Sequence, residues 1–212
     1  MKADMPEQNA VLIVDDHPVV REGMVTIVER YTDFHCIAQA SGAREAVAKW
    51  REFKPQIGLF DLRMPDGDAV SAITHILEFD PKAKILVVSS FDADEEVYRV
   101  MKSGARGYML KDSDPQDIAS ALKSIRSGLR YLPPQLASKL AERITHTELS
   151  QRETEILTML AMGKRNAAIA DELCISLATI KFHLNNIYSK LEVSSRTEAV
   201  SVAVKRGIIA LN

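Results

Sequence analysis

Four short apolar runs in the first 110 residues each end on a polar or charged residue. Val11-Leu12-Ile13-Val14 runs into Asp15-Asp16, and Ile57-Gly58-Leu59-Phe60 into Asp61. Ile85-Leu86-Val87-Val88 runs into Ser89, and Gly107-Tyr108-Met109-Leu110 into Lys111. Each has the length of one buried strand, and unbroken rather than alternating hydrophobicity predicts strands covered on both faces. Strands are expected near 10–14, 35–40, 57–61, 84–89 and 107–110, and helices near 18–31, 42–53, 69–79, 94–103 and 115–127. The last helix carries Asp114 as N-cap, Pro115 at its first position and Gly128 as its stop. Alternating strands and helices predict a doubly wound, five-stranded parallel α/β sheet.

In such a sheet the carboxyl ends of the strands line one rim, where ligands bind. That rim gathers three carboxylates (Asp15, Asp16, Asp61), a hydroxyl (Ser89) and an ammonium (Lys111). Hard oxygen donors suit Mg²⁺, and an aspartate can be the nucleophile of phosphoryl transfer. Lys111 suits a phosphoryl oxygen, and Ser89 can donate a hydrogen bond to another.

The rhythm breaks over 129–147, where Tyr131-Leu132-Pro133-Pro134 interrupts regular structure and 135–143 has room for one short helix. This stretch reads as a linker. Beyond it strand signals cease. Ser150-Gln151-Arg152-Glu153 is a capping box that opens a helix to about 162, stopped at Gly163. A second helix over 166–173, a turn at 174–176 and a third helix to about 191 have the layout of a helix-turn-helix. A second capping box, Ser195 to Glu198, opens a fourth helix ending near Gly207. Ile180, Leu184, Ile187 and Leu191 share one face of the third helix and predict its core side. Lys181, Phe182, Asn185 and Ser189 point elsewhere, and the helix has no acidic residue between Ser176 and Leu191. Positive charge with amide and hydroxyl groups suits phosphate and base edges.

Charge agrees with this division. Residues 1–112 hold 14 Lys+Arg against 19 Asp+Glu, whereas 148–212 hold 8 against 7. The acidic part argues against nucleic-acid contact there, and the weakly basic part permits it. The apolar runs are too short to cross a bilayer, and the polar, acidic start of the chain does not read as a signal peptide. Cys36 and Cys174 are expected to be buried free thiols, and the cytoplasm is the expected location.

Val-Asp-Asp-His-Pro (14–18), Asp-Leu-Arg-Met-Pro (61–65), Val-Val-Ser-Ser-Phe (87–91) and Gly-Ala-Arg-Gly-Tyr-Met-Leu-Lys (104–111) resemble the receiver domain of two-component response regulators, a flavodoxin-like fold. The resemblance implies that Asp61 accepts phosphate from a cognate histidine kinase. It implies that Asp16, Asp61 and the Arg63 carbonyl bind Mg²⁺, with Asp15 acting through a water. Ser89 and Tyr108 fall on the family's switch positions, with Tyr108 turning inward on phosphorylation, and Lys111 on its phosphate-binding lysine. One departure lies after Met-Pro, where the family's usual Asp-Gly pair reads Asp68-Ala69, with Gly67 just before.

Residues 148–207 resemble the LuxR-type helix-turn-helix, on Leu149 to Glu153, Glu155-Ile156-Leu157, Gly163, Asn166, Ile169-Ala170, Ile175-Ser176, Thr179-Ile180-Lys181, His183 and Lys190-Leu191. This implies base contacts from Lys181, Phe182 and Asn185. Phosphate contacts are implied from Thr179, Asn166, Lys190 and Arg196, with Arg165 as an addition in this chain. Joined, the two parts resemble a NarL/FixJ-type response regulator: receiver 1–128, linker 129–147, and a small all-α four-helix DNA-binding domain over 148–212. The resemblance implies that an inactive receiver covers the recognition helix. Phosphorylation then frees it, producing a homodimer that binds double-stranded DNA and controls transcription without contact with a membrane. A dedicated phosphatase or transferase is disfavoured, because the acid such enzymes commonly carry two residues past the nucleophile is here Arg63.

Overall fold

The structure is a computed structural model that describes residues 9–145 and 148–209, with residues 142, 144 and 145 described by backbone alone. The amino-terminal residues 1–8, expected not to form a signal peptide, lie outside the described residues. The chain divides into two compact units, one of residues up to 92 with 99–137, the other of 93–98 with the residues from 138 onward.

In the first unit, β1 (Ala10–Val14), β2 (His35–Ala40), β3 (Ile57–Asp61), β6 (Ile85–Ser89) and β7 (Gly107–Leu110) form a parallel sheet in the order β2-β1-β3-β6-β7. Between β3 and β6 lies a small antiparallel hairpin, β4 (Arg63–Met64) with β5 (Gly67–Asp68). The helices are α1 (Pro18–Tyr31), α2 (Ala43–Phe53), α3 (Ala69–Phe79) and α5 (Pro115–Arg126), while the residues of α4 (Asp94–Lys102) are divided between the two units. All five residues of β1, β3 and β6 are buried, as unbroken apolar runs require when helices cover both faces. On one face Val11, Ile13, Leu59, Leu86 and Val88 pack with Met24 and Val28 of α1 and Ile118, Leu122 and Ile125 of α5.

Register places the functional rim. Val14 lies beside Phe60, Asp61 beside Val88, and Ser89 beside Leu110. The polar residues ending these strands therefore emerge at one edge of the sheet.

The β4–β5 hairpin was not foreseen, and it resolves the departure after Met-Pro. Pro65 and Asp66 form its two-residue turn, and the Asp66 carboxylate accepts the N–H groups of Ala43 (2.7 Å) and Arg44 (3.1 Å) at the start of α2. Those backbone donors hold the Asp66 carboxyl below its usual range. Asp68 caps α3 through the Ser71 N–H at 2.9 Å. The loop behind Asp61 is thus anchored at two helix starts. Asp114 does occupy the N-cap of α5, but its side chain makes no capping bond, and Pro115 at the first position sets the entry.

α6 (Pro134–Thr145) occupies much of the stretch read as a linker. The second unit continues with α7 (Gln151–Ala161), α8 (Asn166–Glu172), α9 (Leu177–Leu191) and α10 (Arg196–Lys205). Ser150 and Glu153 form the reciprocal capping box. Ile156, Leu157, Leu160, Ile169, Ile180, Leu184, Ile187, Leu191, Ala199 and Ala203 form a buried core. The thiols depart from expectation: Cys36 is half-buried, and Cys174 is exposed at left-handed φ (51°) in the α8–α9 turn, because the tight turn points its side chain outward.

Candidate functional site

Asp15, Asp61, Ser89 and Lys111 meet at the carboxyl edge of the sheet. Asp15 and Asp61 are buried, at 3% and 8% exposure, and Ser89 is fully buried. The Lys111 ammonium donates to Asp15 Oδ2 at 2.7 Å and lies 3.1 Å from Asp61 Oδ2. Burial pushes the Asp61 carboxyl above its ordinary value, against the pull of Lys111. Burial alone would lower Lys111, but its two carboxylate partners outweigh this and raise it. The pair is therefore close and largely buried: a carboxylate oxygen beside a fixed cation.

Asp16 lies half-buried at the mouth of the rim. Its Oδ1 is buried and has no hydrogen-bond partner among the described residues. Ligand atoms of Asp15, Asp16, His17 and Asp61 all lie within 4.8 Å of one another. His17 Nδ1 lies 2.7 Å from Asp16 Oδ1, and the three carboxylates converging there are the hard oxygen donors that fit a divalent cation. His17 was not assigned a role from sequence, although it stands within the Val-Asp-Asp-His-Pro segment. Arg21 was missed as well. Its guanidinium donates to the Asp15 carbonyl (2.6 Å) and to Gln39 (3.0 Å), which fixes the loop carrying both aspartates.

Above the rim, the Ser89 hydroxyl accepts the Phe91 N–H at 3.1 Å, and the Tyr108 hydroxyl donates to the Phe91 carbonyl at 2.6 Å. Phe91 thus joins the two expected switch residues through its backbone. Tyr108, expected to turn inward on phosphorylation, is already inward and fully buried in this state.

In the second unit α9 is capped by Ser176, whose hydroxyl accepts the Thr179 N–H (3.1 Å) and touches the Thr179 hydroxyl (2.8 Å). Lys181, Phe182 and Asn185 are exposed, Phe182 at 62%. The Phe182 ring meets that of His183 edge-on at 5.8 Å. Arg165 is exposed at the N-cap of α8, with Asn166 half-buried beside it. Two residues expected at DNA phosphates have internal partners. Lys190 donates to buried Glu153 (2.7 Å) and to the Glu148 carbonyl (3.0 Å). Arg196 donates to the carbonyls of Leu160 (2.9 Å) and Lys164 (2.8 Å), closing the end of α7. Their spacing in sequence carries no sign of these internal bonds.

A buried aspartate–lysine rim on a five-stranded parallel sheet, followed by a helix-turn-helix, is matched by two family models. Residues 11–123 match the response regulator receiver domain, and residues 147–203 match the luxR family of bacterial regulatory proteins. This chain belongs to the LuxR-type response regulators.

Among its relatives, this response regulator is 38% identical over 204 residues to response regulator protein VraR of Staphylococcus aureus, covering 94% of this chain and 98% of VraR. The crystal structure of response regulator ChrA, of a heme-sensing two-component system, is similar at 33% identity and a TM-score of 0.56, covering 95% and 98% of the two chains. RcsB from Salmonella enterica serovar Typhimurium, solved on promoter P1flhDC with the phosphomimetic BeF3⁻, shares the fold at 23% identity and a TM-score of 0.72, covering 95% and 100%. The family consists of DNA-binding transcription regulators of two-component signalling rather than dedicated enzymes. Among the described residues no helix is long and apolar enough to cross a membrane.

Proposed function

We propose that this response regulator takes a phosphoryl group on Asp61 from a cognate histidine kinase and, in that state, binds double-stranded DNA as a homodimer. The observation that carries the reading is the buried Asp61 carboxylate with the Lys111 ammonium 3.1 Å away. An Asp61 oxygen attacks phosphorus, the new O–P bond forms as the P–N bond of the kinase phosphohistidine breaks, and the imidazole leaves. Lys111 neutralises a phosphoryl oxygen, and Ser89 exchanges its Phe91 contact for another. Asp16, Asp61 and the Arg63 carbonyl, with Asp15 through a water, would hold Mg²⁺. Bound there, the ion supplies charge neutralisation for the phosphoryl group.

The boundaries that serve this reading are a receiver over 1–128, a linker over 129–147 and a DNA-binding domain over 148–212, working in the cytoplasm. In the second unit Lys181, Phe182 and Asn185 would read base edges, and Arg165, Asn166 and Thr179 would contact phosphates, with Lys190 and Arg196 doing so only alongside their internal bonds. Ser89 and Tyr108 would transmit the switch through Phe91.

Mass and sedimentation with and without acetyl phosphate or beryllofluoride plus Mg²⁺ test this, on the wild type and Asp61→Asn. A Mg²⁺-dependent mass gain with acetyl phosphate, and a dimer shift with either reagent, both absent in Asp61→Asn, are expected. An unchanged wild type under both reagents overturns the phospho-switch.

A further inference from the structure

A cleft of about 750 Å³ opens at the amino edge of the sheet, opposite Asp61, where Gln56 and Lys84 lead into β3 and β6. Small-molecule sites run from roughly 300 to 1,000 Å³. Its aromatic part comes from the ends of two helices. Trp50 of α2 is buried and anchored, its indole N–H donating to Asp80 Oδ2 at 3.0 Å. Phe79 of α3 is exposed, and the Arg51 guanidinium lies over its ring, 4.3 Å from the centroid. Phenyl and guanidinium are both flat groups on which a nucleobase packs.

Charge defines the rest of the ligand. Among the described residues the cleft is lined by four cations, Arg51, Lys54, Lys82 and Lys84, and one carboxylate, Asp80, a net of +3. This lies in a part of the chain, residues 1–112, where 19 acids outnumber 14 bases. The carboxyl ends of α2 and α3 bring about half a negative charge each, so roughly +2 remains. Asp80 is already engaged, by the Trp50 indole and by the Lys82 backbone N–H at 3.3 Å. Lys54 closes α2 at left-handed φ (47°), a position that favours glycine. A lysine there puts a cation at the cleft against its backbone preference. We propose that this cleft binds a nucleoside phosphate, the base against Phe79 and Arg51 and the phosphates at Lys54 and Lys82. The site is separate from the acidic rim and uses no metal ion.

Trp50 is the sole tryptophan, so its indole N–H gives one cross-peak in a ¹H–¹⁵N spectrum of the full chain. ADP, GDP, CDP and UDP are titrated in turn to about 1 mM, with divalent ions chelated. At least one should shift that peak saturably, and its free nucleoside and pyrophosphate should each bind at least about tenfold more weakly. Phe79→Ala and Lys82→Ala should each weaken the nucleotide about tenfold. Lys54→Gly should weaken it too while the melting temperature holds or rises, because glycine suits the left-handed position. Asp61→Asn should bind as the wild type does. No shift with any of the four nucleotides overturns the proposal. Pyrophosphate binding as tightly as the nucleotide reduces the cleft to a bare anion site and overturns it as well. A shift produced by an acidic, phenylalanine-containing peptide and by no nucleotide makes the cleft a protein-docking groove, against the proposal. Binding that needs Mg²⁺, or that Asp61→Asn abolishes, belongs to the acidic rim and overturns the separate site.

Discussion

The Arg63 guanidinium sits 4.0 Å from the centroid of the Phe91 ring. The two residues lie two positions beyond Asp61 and two beyond Ser89, and both are exposed at the mouth of the rim. A water hydrolysing a phosphoryl group on Asp61 must approach in line with the bond that breaks. A stacked arginine and phenylalanine obstruct that approach, and the cation–π contact holds them there by about 1 kcal/mol. The phosphorylated protein is expected to hold its label long after isolation. Arg63→Asn should shorten the half-life about tenfold, equivalent to about 1.4 kcal/mol of barrier. Fast loss of label that Arg63→Asn leaves unaltered would contradict the obstruction.

Asp61 should cost stability in the unphosphorylated protein. Burial raises its carboxyl above the ordinary 3.8. A group raised on folding favours the fold below its unfolded value, and that contribution disappears as pH climbs through the folded value. At neutral pH the ionised carboxylate is therefore a liability. Asp61→Asn keeps the shape, leaves Lys111 paired with Asp15, and should stabilise the first unit by about 1 kcal/mol at pH 7. Urea melts should show this gain shrinking as pH drops toward 4. A destabilised variant at pH 7 would refute the account.

The Glu153–Lys190 pair should make the second unit acid-sensitive. Burial would raise the Glu153 carboxyl, but Lys190 and the Ser150 donors outweigh it and hold it below its ordinary 4.5. A lowered carboxylate contributes stability above that value and loses it as pH falls through the folded one. Thermal melts of the wild type should fall steeply below pH 4.5. Lys190→Ala leaves a carboxylate that is only 3% exposed without its cation, with the Ser150 N–H still donating to it, and should cost about 2 kcal/mol at pH 7. Equal melts for wild type and Lys190→Ala would exclude an energetic role for the pair.

Salt dependence should separate contact residues from framework residues. Lys181→Ala and Arg165→Ala should each reduce the slope of log affinity against log salt by about 1, with stability unchanged. Arg196→Ala should instead lower the melting temperature, because its guanidinium ties two carbonyls at the end of α7. Such charge-assisted bonds contribute about 1.5–3 kcal/mol each. A slope unaffected by Lys181→Ala would remove that residue from the DNA interface.

Patterns with a short period were readable without coordinates. The apolar runs at 11–14, 57–60, 85–88 and 107–110 can be buried on both faces only as strands between helices. The capping box at Ser150 and the inward stripe Ile180, Leu184, Ile187 and Leu191 marked α7 and α9. Asp61, Ser89 and Lys111 were legible as a group because each ends a parallel strand, and parallel register brings such ends to one edge. Local chemistry determines these features.

What depended on chain segments distant in sequence was decided by the tertiary structure alone. The Asp66 carboxylate reaches back 22 residues to the start of α2. Lys190 closes on Glu153 across 37 positions, and Arg196 on Leu160 across 36. In sequence each of these is only a polar residue on a surface-like position, equally suited to water, phosphate or a partner. Which it meets depends on where packing of the apolar faces leaves the remaining donors and acceptors, because a buried polar group must find its partner wherever the fold puts one.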